Sequence, residues 1–573
     1  MRLLYQLHRW PGVILAAFMF VWFASGVVIM YAPSTTPTVE AQWRHAPLLD
    51  PQAGWLSAGD AWARSAAQRQ ADHPATSAEG NRGGNARKRG ALADVLASAR
   101  LVRRAGAPYW LFEDGSGARY AVSAIDASLH RFDAAQAQEV AAQWLEEPAS
   151  AVSVLEAFDS GAYVRNYENL APFYRLGVAD SSTEVIVSAR TGEVMRVTDR
   201  VDRVLFWTGN WVHLFRYLDA IGLEGDARRH ILTWTALATV IVTLVGLIIA
   251  WIRWRPRWGN KPQYSQGRVQ PYRTWSGRWH FWSGLIGGVI ALTWISSGFL
   301  TNLPWQVFTA ANLNRDEAAR YLGNAQPENL RTWQPHTFGP EGALTVELAW
   351  SRVGDEAVLH AIDSDGNRRV LDGGAPLSTD AVLAAVGRVA GKAPSAQVLQ
   401  TDYDAYYYRR HQQTANDRPL PVLRVDLGDA AGTRVYVDPQ TGRVLSRQDT
   451  SRRFYRWAFS ALHHWDFGWL YARPLWDGWM LLWLGFGLTL SATSLVLAYK
   501  RIARTARSRN VQTDTAIGAE IVAAASTPGP ASVPEAPLAE PTLAKPGIAA
   551  ATGAAAGPVV GPAVNPAANP AVS

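Results

Sequence analysis

Four apolar runs constrain the fold of this chain more than any other feature. Each contains about 20 residues, and a helix of that length, which rises about 1.5 Å per residue, crosses the roughly 30 Å hydrocarbon layer of a bilayer. The sequence therefore predicts an α-helical membrane protein with four transmembrane helices. The runs are roughly Trp10–Tyr31, Ile231–Ile252, His280–Thr301 and Trp476–Tyr499.

The first run is interpreted as an uncleaved membrane anchor rather than a signal peptide. It is longer than the apolar region of a typical signal peptide, and no pattern of small residues that would mark a cleavage site follows it at once. The run also has an internal relative, the third run at His280–Thr301.

Basic residues beside the runs predict their orientation, because loops rich in Lys and Arg stay on the cytoplasmic side. Seven basic residues and no Asp or Glu lie between the second and third runs. Both termini are predicted to be cytoplasmic, in a bacterial inner membrane, and the net charge of +7 is assigned to topology rather than to nucleic-acid binding. The basic residues are Arg253, Arg255, Arg257, Lys261, Arg268, Arg273 and Arg278, with Arg2 and Arg9 before the first run and Lys500, Arg501, Arg504, Arg507 and Arg509 after the fourth.

The spans divide the chain into eight predicted segments. Two are large periplasmic domains, and the first of these contains an Ala/Arg/Gly/Ser-rich stretch, 60–100, that is predicted to be a flexible insertion. An Ala/Pro-rich tail is predicted to be disordered. The segments are the anchor and first helix 1–31, the first periplasmic domain 32–225, the second helix 226–253, the basic cytoplasmic loop 254–278, the third helix 279–301, the second periplasmic domain 302–474, the fourth helix 475–501 and the tail 502–573.

The chain contains two related halves. The stretch "LHRWPGVILAAFMFVWFASG" aligns with "WHFWSGLIGGVIALTWISSG" at a constant offset of 272 positions, so that His8 meets His280. In the polar segments, residues 171–195 resemble residues 418–445, and both read as strand, turn, strand, Thr-Gly and a third strand. Helices are predicted ahead of them, at Ala134–Leu145 and Thr379–Ala390. The pattern indicates an internal tandem duplication with one α+β domain in each half.

Histidines recur at the ends of the predicted spans. His8 and His280 lie at cytoplasmic ends, whereas His213 and His463, which the duplication relates at an offset of 250, precede the returning spans on the periplasmic side. Two neutral imidazoles from different helices can hold a haem iron without a covalent link. The alternatives are a histidine that reaches the lipid headgroups and a simple metal-ion site. His464 is the alternative to His463, and His230 is a substitute ligand.

Composition narrows the cofactor chemistry. The sequence has no cysteine. Disulfides, cysteine-held iron–sulfur clusters, thiolate haem ligation and covalent haem attachment are therefore excluded. Two non-covalent haems b per chain are expected, one near each face, because a pair of ligands must lie at one depth and the two sets are separated by the roughly 30 Å membrane.

Several motifs resemble the PepSY-associated transmembrane proteins, a family that includes inner-membrane ferrisiderophore reductases. They are "LHRWPG" at the first span, the paired "TGEV" and "TGRV" turns, "DAYYYRRH" with "LPVLRVDL", and "LHHWDFGWLYARPLWD" before the fourth span. The resemblance implies four spans, two PepSY-type periplasmic domains and reduction of siderophore iron. It also implies haem ligation by His8, His213, His280 and either His463 or His464.

The leading hypothesis is a transmembrane reductase that passes electrons to a periplasmic ferric siderophore or another ferric complex. No nucleotide-binding fingerprint is present, so a cytoplasmic donor or the quinol pool is expected to supply the electrons. The alternative is a membrane-anchored PepSY-domain protein, held in the lipid bilayer by its spans, that binds peptides or regulates a peptidase without redox activity. A transporter subunit has little support, because the centres of the spans lack Asp, Glu, Lys and Arg.

One polar stretch is a candidate substrate site. Phenol and guanidinium groups could bind Fe(III) or an anionic siderophore. An aromatic-rich strand packed between domain and membrane is the simpler interpretation, and it is favoured. The candidate residues are Tyr406, Tyr407, Tyr408, Arg409 and Arg410.

The basic bias predicts the outcome of a topology experiment. Alkaline phosphatase fused near Gly80 or Asp365 should be active, because this reporter is active only outside the cytoplasm. The same reporter fused near Gln266 should be inactive. The opposite pattern of activities would overturn the predicted orientation.

Overall fold

The computed structural model describes residues 1–72, 93–165, 167–179, 181–302, 305, 307–323, 327–335, 344–371, 376–411 and 413–525. Within these ranges it contains helices and three antiparallel β-sheets. The helices are α1 Arg2–Tyr31, α2 Val39–Arg44, α3 Ala58–Arg64, α4 Ala66–Asp72, α5 Ala134–Leu145, α6 Arg200–Phe206, α7 Gly225–Arg253, α8 Trp275–Thr301, α9 Arg315–Leu322, α10 Asn329–Thr332, α11 Thr379–Ala390, α12 Thr450–Tyr455, α13 Leu462–His464 and α14 Leu475–Ala525.

Four of these helices are long and apolar enough to cross a membrane: α1, α7, α8 and α14 over Leu475–Thr505. The prediction of four apolar membrane helices is confirmed. The first three end within one residue of the predicted positions, but α1 begins at Arg2 and α8 at Trp275. His8, which precedes the predicted first run, therefore lies inside α1, and His280 lies inside α8 rather than at the first residue of its span.

The prediction of a disordered tail is wrong for residues 502–525. The last helix continues from the fourth span to Ala525, so residues 502–525 are helical. Composition misled the prediction here, because the Arg- and Ala-rich stretch after Lys500 has high intrinsic helix propensity. Residues 526–573 lie outside the described ranges.

The prediction of a flexible insertion at 60–100 is also wrong for the two ends of that segment. Helices α3 and α4 occupy its start, and Trp62 and Arg69 are buried there, with the Arg69 guanidinium 3.1 Å from the centre of the Trp62 ring. A strand, Leu96–Arg104, occupies its end. This cation–π contact stabilises a segment whose composition alone indicated a linker. Residues 73–92 lie outside the described ranges.

The strands form one seven-stranded sheet and two four-stranded sheets. The large sheet has the order β11-β10-β9-β1-β2-β3-β4, and the small sheets run β5-β6-β7-β8 and β12-β13-β14-β15. The strands are β1 Leu96–Arg104, β2 Ala107–Asp114, β3 Arg119–Ser123, β4 Leu129–His130, β5 Val152–Phe158, β6 Phe173–Val178, β7 Glu184–Ser188, β8 Val194–Thr198, β9 Thr345–Val353, β10 Glu356–Asp363, β11 Arg368–Val370, β12 Ala396–Gln400, β13 Val422–Asp426, β14 Arg434–Val437 and β15 Val444–Gln448.

The two small sheets contain the elements that the sequence repeat predicted. Helices α5 and α11 begin and end at the predicted residues, and a Thr-Gly turn precedes the last strand of each sheet. The glycine of each turn is in the left-handed region, with φ of 65° at Gly192 and 66° at Gly442. A Cβ at Gly192 would also lie 2.8 Å from the Phe132 ring, and one at Gly442 would lie 1.9 Å from Val353. Both backbone strain and close packing therefore require glycine here.

The seven-stranded sheet joins the two halves of the chain, which the sequence analysis had assigned to separate domains. Strand β1 of the first half pairs with β9 of the second in antiparallel register, Ala99–Val102 against Glu347–Trp350. The apolar core beneath is shared as well, with Leu101 and Trp110 from one half beside Leu348 and Leu359 from the other. The two predicted domains are therefore not independent bodies.

A buried ionic network reinforces this junction. Arg100 on β1 lies 2.5 Å from Glu193 and 3.5 Å from Glu347 on β9, and Arg119 lies 3.5 Å from the second oxygen of Glu193. Burial by itself would raise the pKa of Glu193, but the charges of Arg100 and Arg119 outweigh it and lower this pKa to about 2. The Glu193 carboxylate is therefore ionised throughout the physiological pH range.

This network predicts a pH-dependent loss of stability. The folded pKa of Glu193 lies below the unfolded value of about 4.3, so its contribution is complete above that pH and is lost as the pH falls towards 2. Glu193→Gln should lower the free energy of unfolding by about 3–5 kcal/mol at pH 7, because Arg100 loses a buried partner. The difference in the free energy of unfolding between wild type and Glu193→Gln should become smaller as the pH of the measurement is lowered.

Glu113→Gln is the matched control. Glu113 also pairs with Arg119, at 3.0 Å, but its side chain is 36% exposed. Removing such an exposed pair costs about 0.2–1 kcal/mol. Equal effects of the two substitutions at pH 7, or a parallel pH profile for Glu193→Gln and wild type, would contradict the assigned role.

Candidate functional site

Two pairs of histidines lie at opposite ends of the four long helices. In the first, the His8 pair, His8 of α1 and His280 of α8 have ring centroids 6.1 Å apart, with 43° between the ring planes. In the second, the His213 pair, His213 and His463 have ring centroids 6.4 Å apart, with 76° between the planes. The structure therefore brings together the four histidines in the two predicted combinations.

The first pair is held by the other two long helices. The Nδ1 of His8 donates to the Val242 carbonyl of α7 at 3.0 Å, and the Nδ1 of His280 lies 3.2 Å from the Ser494 hydroxyl of α14. Ser494 donates its own proton to the Leu490 carbonyl, so its oxygen accepts from His280. Both rings therefore carry their proton on Nδ1, which leaves Nε2 with a lone pair.

A glycine on α7 makes room for the His8 ring. A Cβ at Gly246 would lie 2.6 Å from Cε1 and 3.0 Å from Nδ1 of His8. Real Cβ atoms do not approach other atoms so closely, so any side chain at position 246 would displace the imidazole. The position of the His8 ring therefore requires glycine at position 246.

The second pair is held by matching contacts from α1 and α8. The Nδ1 of His213 lies 3.0 Å from the Ser25 hydroxyl, and the Nδ1 of His463 lies 3.0 Å from the Ser297 hydroxyl. Each serine donates its proton to a carbonyl of its own helix, so each oxygen accepts from the histidine. As in the first pair, Nε2 keeps its lone pair.

Tryptophans and π-helical turns position the second pair. The indole of Trp22 donates to the His213 carbonyl at 3.1 Å, and the indole of Trp294 donates to the His463 carbonyl at 2.9 Å. Both histidines follow a π-helical turn, Trp207–Trp211 or Arg456–Ala461. Such turns are rare and occur frequently at functional sites, because they redirect the residues that follow them.

The histidines of the second pair are neutral at physiological pH. Burial lowers the pKa of His213 to about 4, although a hydrogen bond at Trp22 opposes the shift. Burial also lowers the pKa of His463 well below its ordinary value, and the neighbouring His464 and His213 add to this effect. A neutral imidazole with a protonated Nδ1 is the form that binds a metal through Nε2.

The spacing within each pair matches two ligands of one metal ion. Bonds from a metal to an imidazole nitrogen are about 2.0–2.1 Å long, so two rings on opposite sides of one ion have centroids about 6 Å apart. The two pairs cannot share an ion. His8 and Ser25, which contacts the second pair, are 17 positions apart on α1, a rise of about 25 Å.

The other predicted histidines lie outside the pairs. His464 is exposed, its carbonyl accepts a bond from the Trp476 indole at 2.7 Å, and its ring is 5.4 Å from that of His463. His230 is exposed on α7. Within the described ranges, no group of three or more His, Asp or Glu side chains could hold a metal ion.

The tyrosines of the candidate substrate stretch are engaged in packing. Tyr407 is fully buried, its hydroxyl donates to the Pro419 carbonyl at 2.7 Å, and its ring stacks on Tyr436. Tyr408 donates to the Asp466 carboxylate, and Tyr406 contacts the Trp457 ring. The neighbouring Arg409 and Arg410 are exposed.

Several residues of the site were not predicted from the sequence. Ser25, Ser297, Trp22 and Trp294 are aligned in the repeat at an offset of 272, so their recurrence was a usable signal. Ser494, Val242 and Gly246 carry no such signal, because each acts through a packing contact between helices.

Comparison with known proteins places the chain in one family. Residues 5–377, well over half of the chain, match the family described as PepSY-associated TM region. The match includes His8, His213 and His280, whereas His463 lies beyond it. No curated protein matches the sequence.

The close contact at Gly246 predicts the effect of a single methyl group. Gly246→Ala should displace the His8 ring, because the added Cβ would lie 2.6 Å from its Cε1. If His8 and His280 hold a haem, about half of the bound haem should be lost. The haem content of detergent-purified protein measures this effect. The control is Gly485→Ala on α14, where a Cβ meets nothing within 4 Å. Unchanged haem content in Gly246→Ala would show that His8 is not a ligand.

Proposed function

The chain belongs to the family of PepSY-associated transmembrane proteins, and from that premise we propose that it is a haem-containing membrane reductase. It passes electrons across the bacterial inner membrane to a periplasmic ferric complex, such as a ferric siderophore, and releases Fe(II). The observation that carries the proposal is the presence of two histidine pairs at opposite ends of the helix bundle, each with the spacing of two ligands of one ion.

The residues of both pairs fit a b-type haem. The rings keep an Nε2 lone pair, their Nδ1 protons are held by serine or backbone oxygens, and no cysteine is available for a covalent link. His8 and His280 would hold one haem, and His213 and His463 the other. A haem iron held by two imidazoles supplies reversible one-electron transfer between Fe(III) and Fe(II).

The protein contributes ligand orientation and insulation. Ser25, Ser297 and Ser494, with the Val242 carbonyl, set the tautomer of each histidine, which makes Nε2 the basic nitrogen. Apolar side chains fill the bundle between the pairs, including Phe23 and Trp294, whose ring centroids are 6.0 Å apart. The electron donor is a cytoplasmic protein or the quinol pool.

Matching contacts support an internal duplication. Trp22 and Ser25 of α1 form hydrogen bonds with His213. The aligned residues of α8, Trp294 and Ser297, form the same hydrogen bonds with His463. A duplication accounts for this correspondence, because each pair then takes one histidine from each half. In this proposal, the two haem sites arose from that duplication.

A second candidate function is peptide binding. One outer strand of each small sheet, β5 or β12, exposes a Val-Leu pair, and the four side chains are 38–57% exposed. An unpaired strand edge with exposed apolar side chains can accept an extended peptide as an additional strand. This function requires no haem, so a colourless purified protein would favour it.

Histidine substitutions test the two-haem arrangement. Wild-type protein should carry two haems per chain with a low-spin b-type absorption spectrum, and acid acetone should extract them. His280→Ala should lose about half of the haem and leave the His213 pair intact, and His213→Ala should do the converse. Loss of all haem in either folded variant, or one haem in wild type, would rule out two independent centres.

Reductase activity is tested by single-turnover oxidation. Chemically reduced protein should be re-oxidised by a ferric hydroxamate complex, with one Fe(II) trapped by a chelator for each electron lost. His213→Ala should slow this reaction at least tenfold, because the centre nearest the acceptor is removed. Haem that stays reduced across a panel of ferric siderophores would exclude this class of acceptor.

A further inference from the structure

The loop between α7 and α8 is held together by hydrogen bonds within the loop. The Arg255 amide donates to the Val269 carbonyl at 2.9 Å. The Tyr264 amide donates to the Arg268 carbonyl at 2.9 Å, and the Tyr264 hydroxyl donates to the Arg253 carbonyl at 3.1 Å. The Arg255 guanidinium also lies 4.0 Å from the centre of the Tyr264 ring. The basic side chains of this loop are therefore held in defined positions at the ends of two membrane helices.

Two arginines of the loop meet at one hydroxyl oxygen. Nη2 of Arg268 donates to Oγ of Ser265 at 2.8 Å, and Nη2 of Arg273 donates to the same oxygen at 3.3 Å. Arg268 is fixed by two further bonds, from Nε to the Ser265 carbonyl at 3.0 Å and from Nη1 to the Pro271 carbonyl at 3.0 Å. Two positive charges thus adjoin a single neutral oxygen.

The loop does not neutralise these two charges. Residues 253–278, all of which the structure describes, contain seven basic residues and no Asp or Glu. Every hydrogen bond that the two guanidinium groups form with the described residues goes to a neutral oxygen of the loop. Since like charges this close repel each other, an anion that binds beside them is favoured.

Exposed tryptophans place the arginine pair at the depth of the lipid headgroups. Trp251 and Trp258, near the end of α7, are 67% and 79% exposed, and Trp275, the first residue of α8, is 63% exposed. Tryptophan is enriched where a membrane helix reaches the polar surface of the bilayer, because its ring is apolar and its N–H is polar. Arg273 lies two positions before Trp275 and therefore belongs to the same layer.

We propose that Arg268, Arg273 and Ser265 bind the phosphate group of an anionic phospholipid in the leaflet that this loop faces. A guanidinium group donates two parallel hydrogen bonds to phosphate oxygens. An anionic lipid such as phosphatidylglycerol is favoured over a zwitterionic one, because the loop has no carboxylate to pair with an ammonium group. The inference depends on the insertion of α7 and α8 in a membrane and is independent of the proposed redox activity.

A soluble phosphate compound carries the same chemical group. The exposed tryptophans favour the lipid as its source, because acyl chains cover their apolar rings, whereas a soluble ligand would leave those rings in water. The two sources are separated experimentally below by the use of inorganic phosphate as a second probe.

The experiment measures how strongly phosphatidylglycerol protects full-length, detergent-purified protein against thermal unfolding. A ligand that binds only the folded state stabilises it according to its concentration and affinity, so a titration gives an apparent dissociation constant. The test variant is Arg268→Gln with Arg273→Gln. The matched control is Arg257→Gln with Lys261→Gln, which removes the same charge from two exposed positions of the same loop.

The test variant should bind phosphatidylglycerol at least about tenfold more weakly than wild type, because both guanidinium contacts are lost. Binding by the control should stay within about threefold of wild type. Equal weakening of the two double variants would overturn the proposal, since the lipid would then respond only to the total charge of the loop. Equal protection of wild type by zwitterionic phosphatidylcholine would overturn it as well.

Two further comparisons complete the test. If the test variant does not fold, Arg273→Gln is compared with Arg257→Gln, because the only hydrogen bond of the Arg273 side chain to the described residues is the one to Ser265. Lipid binding should weaken more in Arg273→Gln, and equal binding by the two variants would contradict the proposal. Inorganic phosphate is then added without lipid. If it protects wild type as strongly as phosphatidylglycerol does, the site takes a soluble phosphate compound and the lipid assignment is wrong.

Discussion

A hydrogen bond from the Nδ1 of each paired histidine is the interaction on which both candidate sites depend. The acceptors are the Val242 carbonyl and three serine hydroxyls, and each serine has already donated its own proton within its helix. Hydrogen bonds in these directions correspond to the tautomer that carries its proton on Nδ1. Without these bonds the imidazoles could rotate about their side-chain torsions, and the rings of a pair would not keep a separation of 6.1 or 6.4 Å.

The polar part of the molecule supports this geometry by joining the two halves. Each histidine pair takes one residue from each half, so relative movement of the halves would separate the rings. Pairing of β1 with β9, a common apolar core and the buried Arg100–Glu193–Glu347 network oppose such movement. The halves are thus fixed to each other both in the helix bundle and in the sheet.

The sequence by itself determined the four spans, the repeated helices α5 and α11, the proximity of His8 to His280 and that of His213 to either His463 or His464. Apolar length, periodicity and internal repetition are local properties that a sequence displays directly. Only the tertiary structure decided that the halves share a sheet, that His463 rather than His464 faces His213, and that Gly246 admits the His8 ring. These features depend on contacts between residues distant in sequence, whose register and direction arise only when the helices and strands pack.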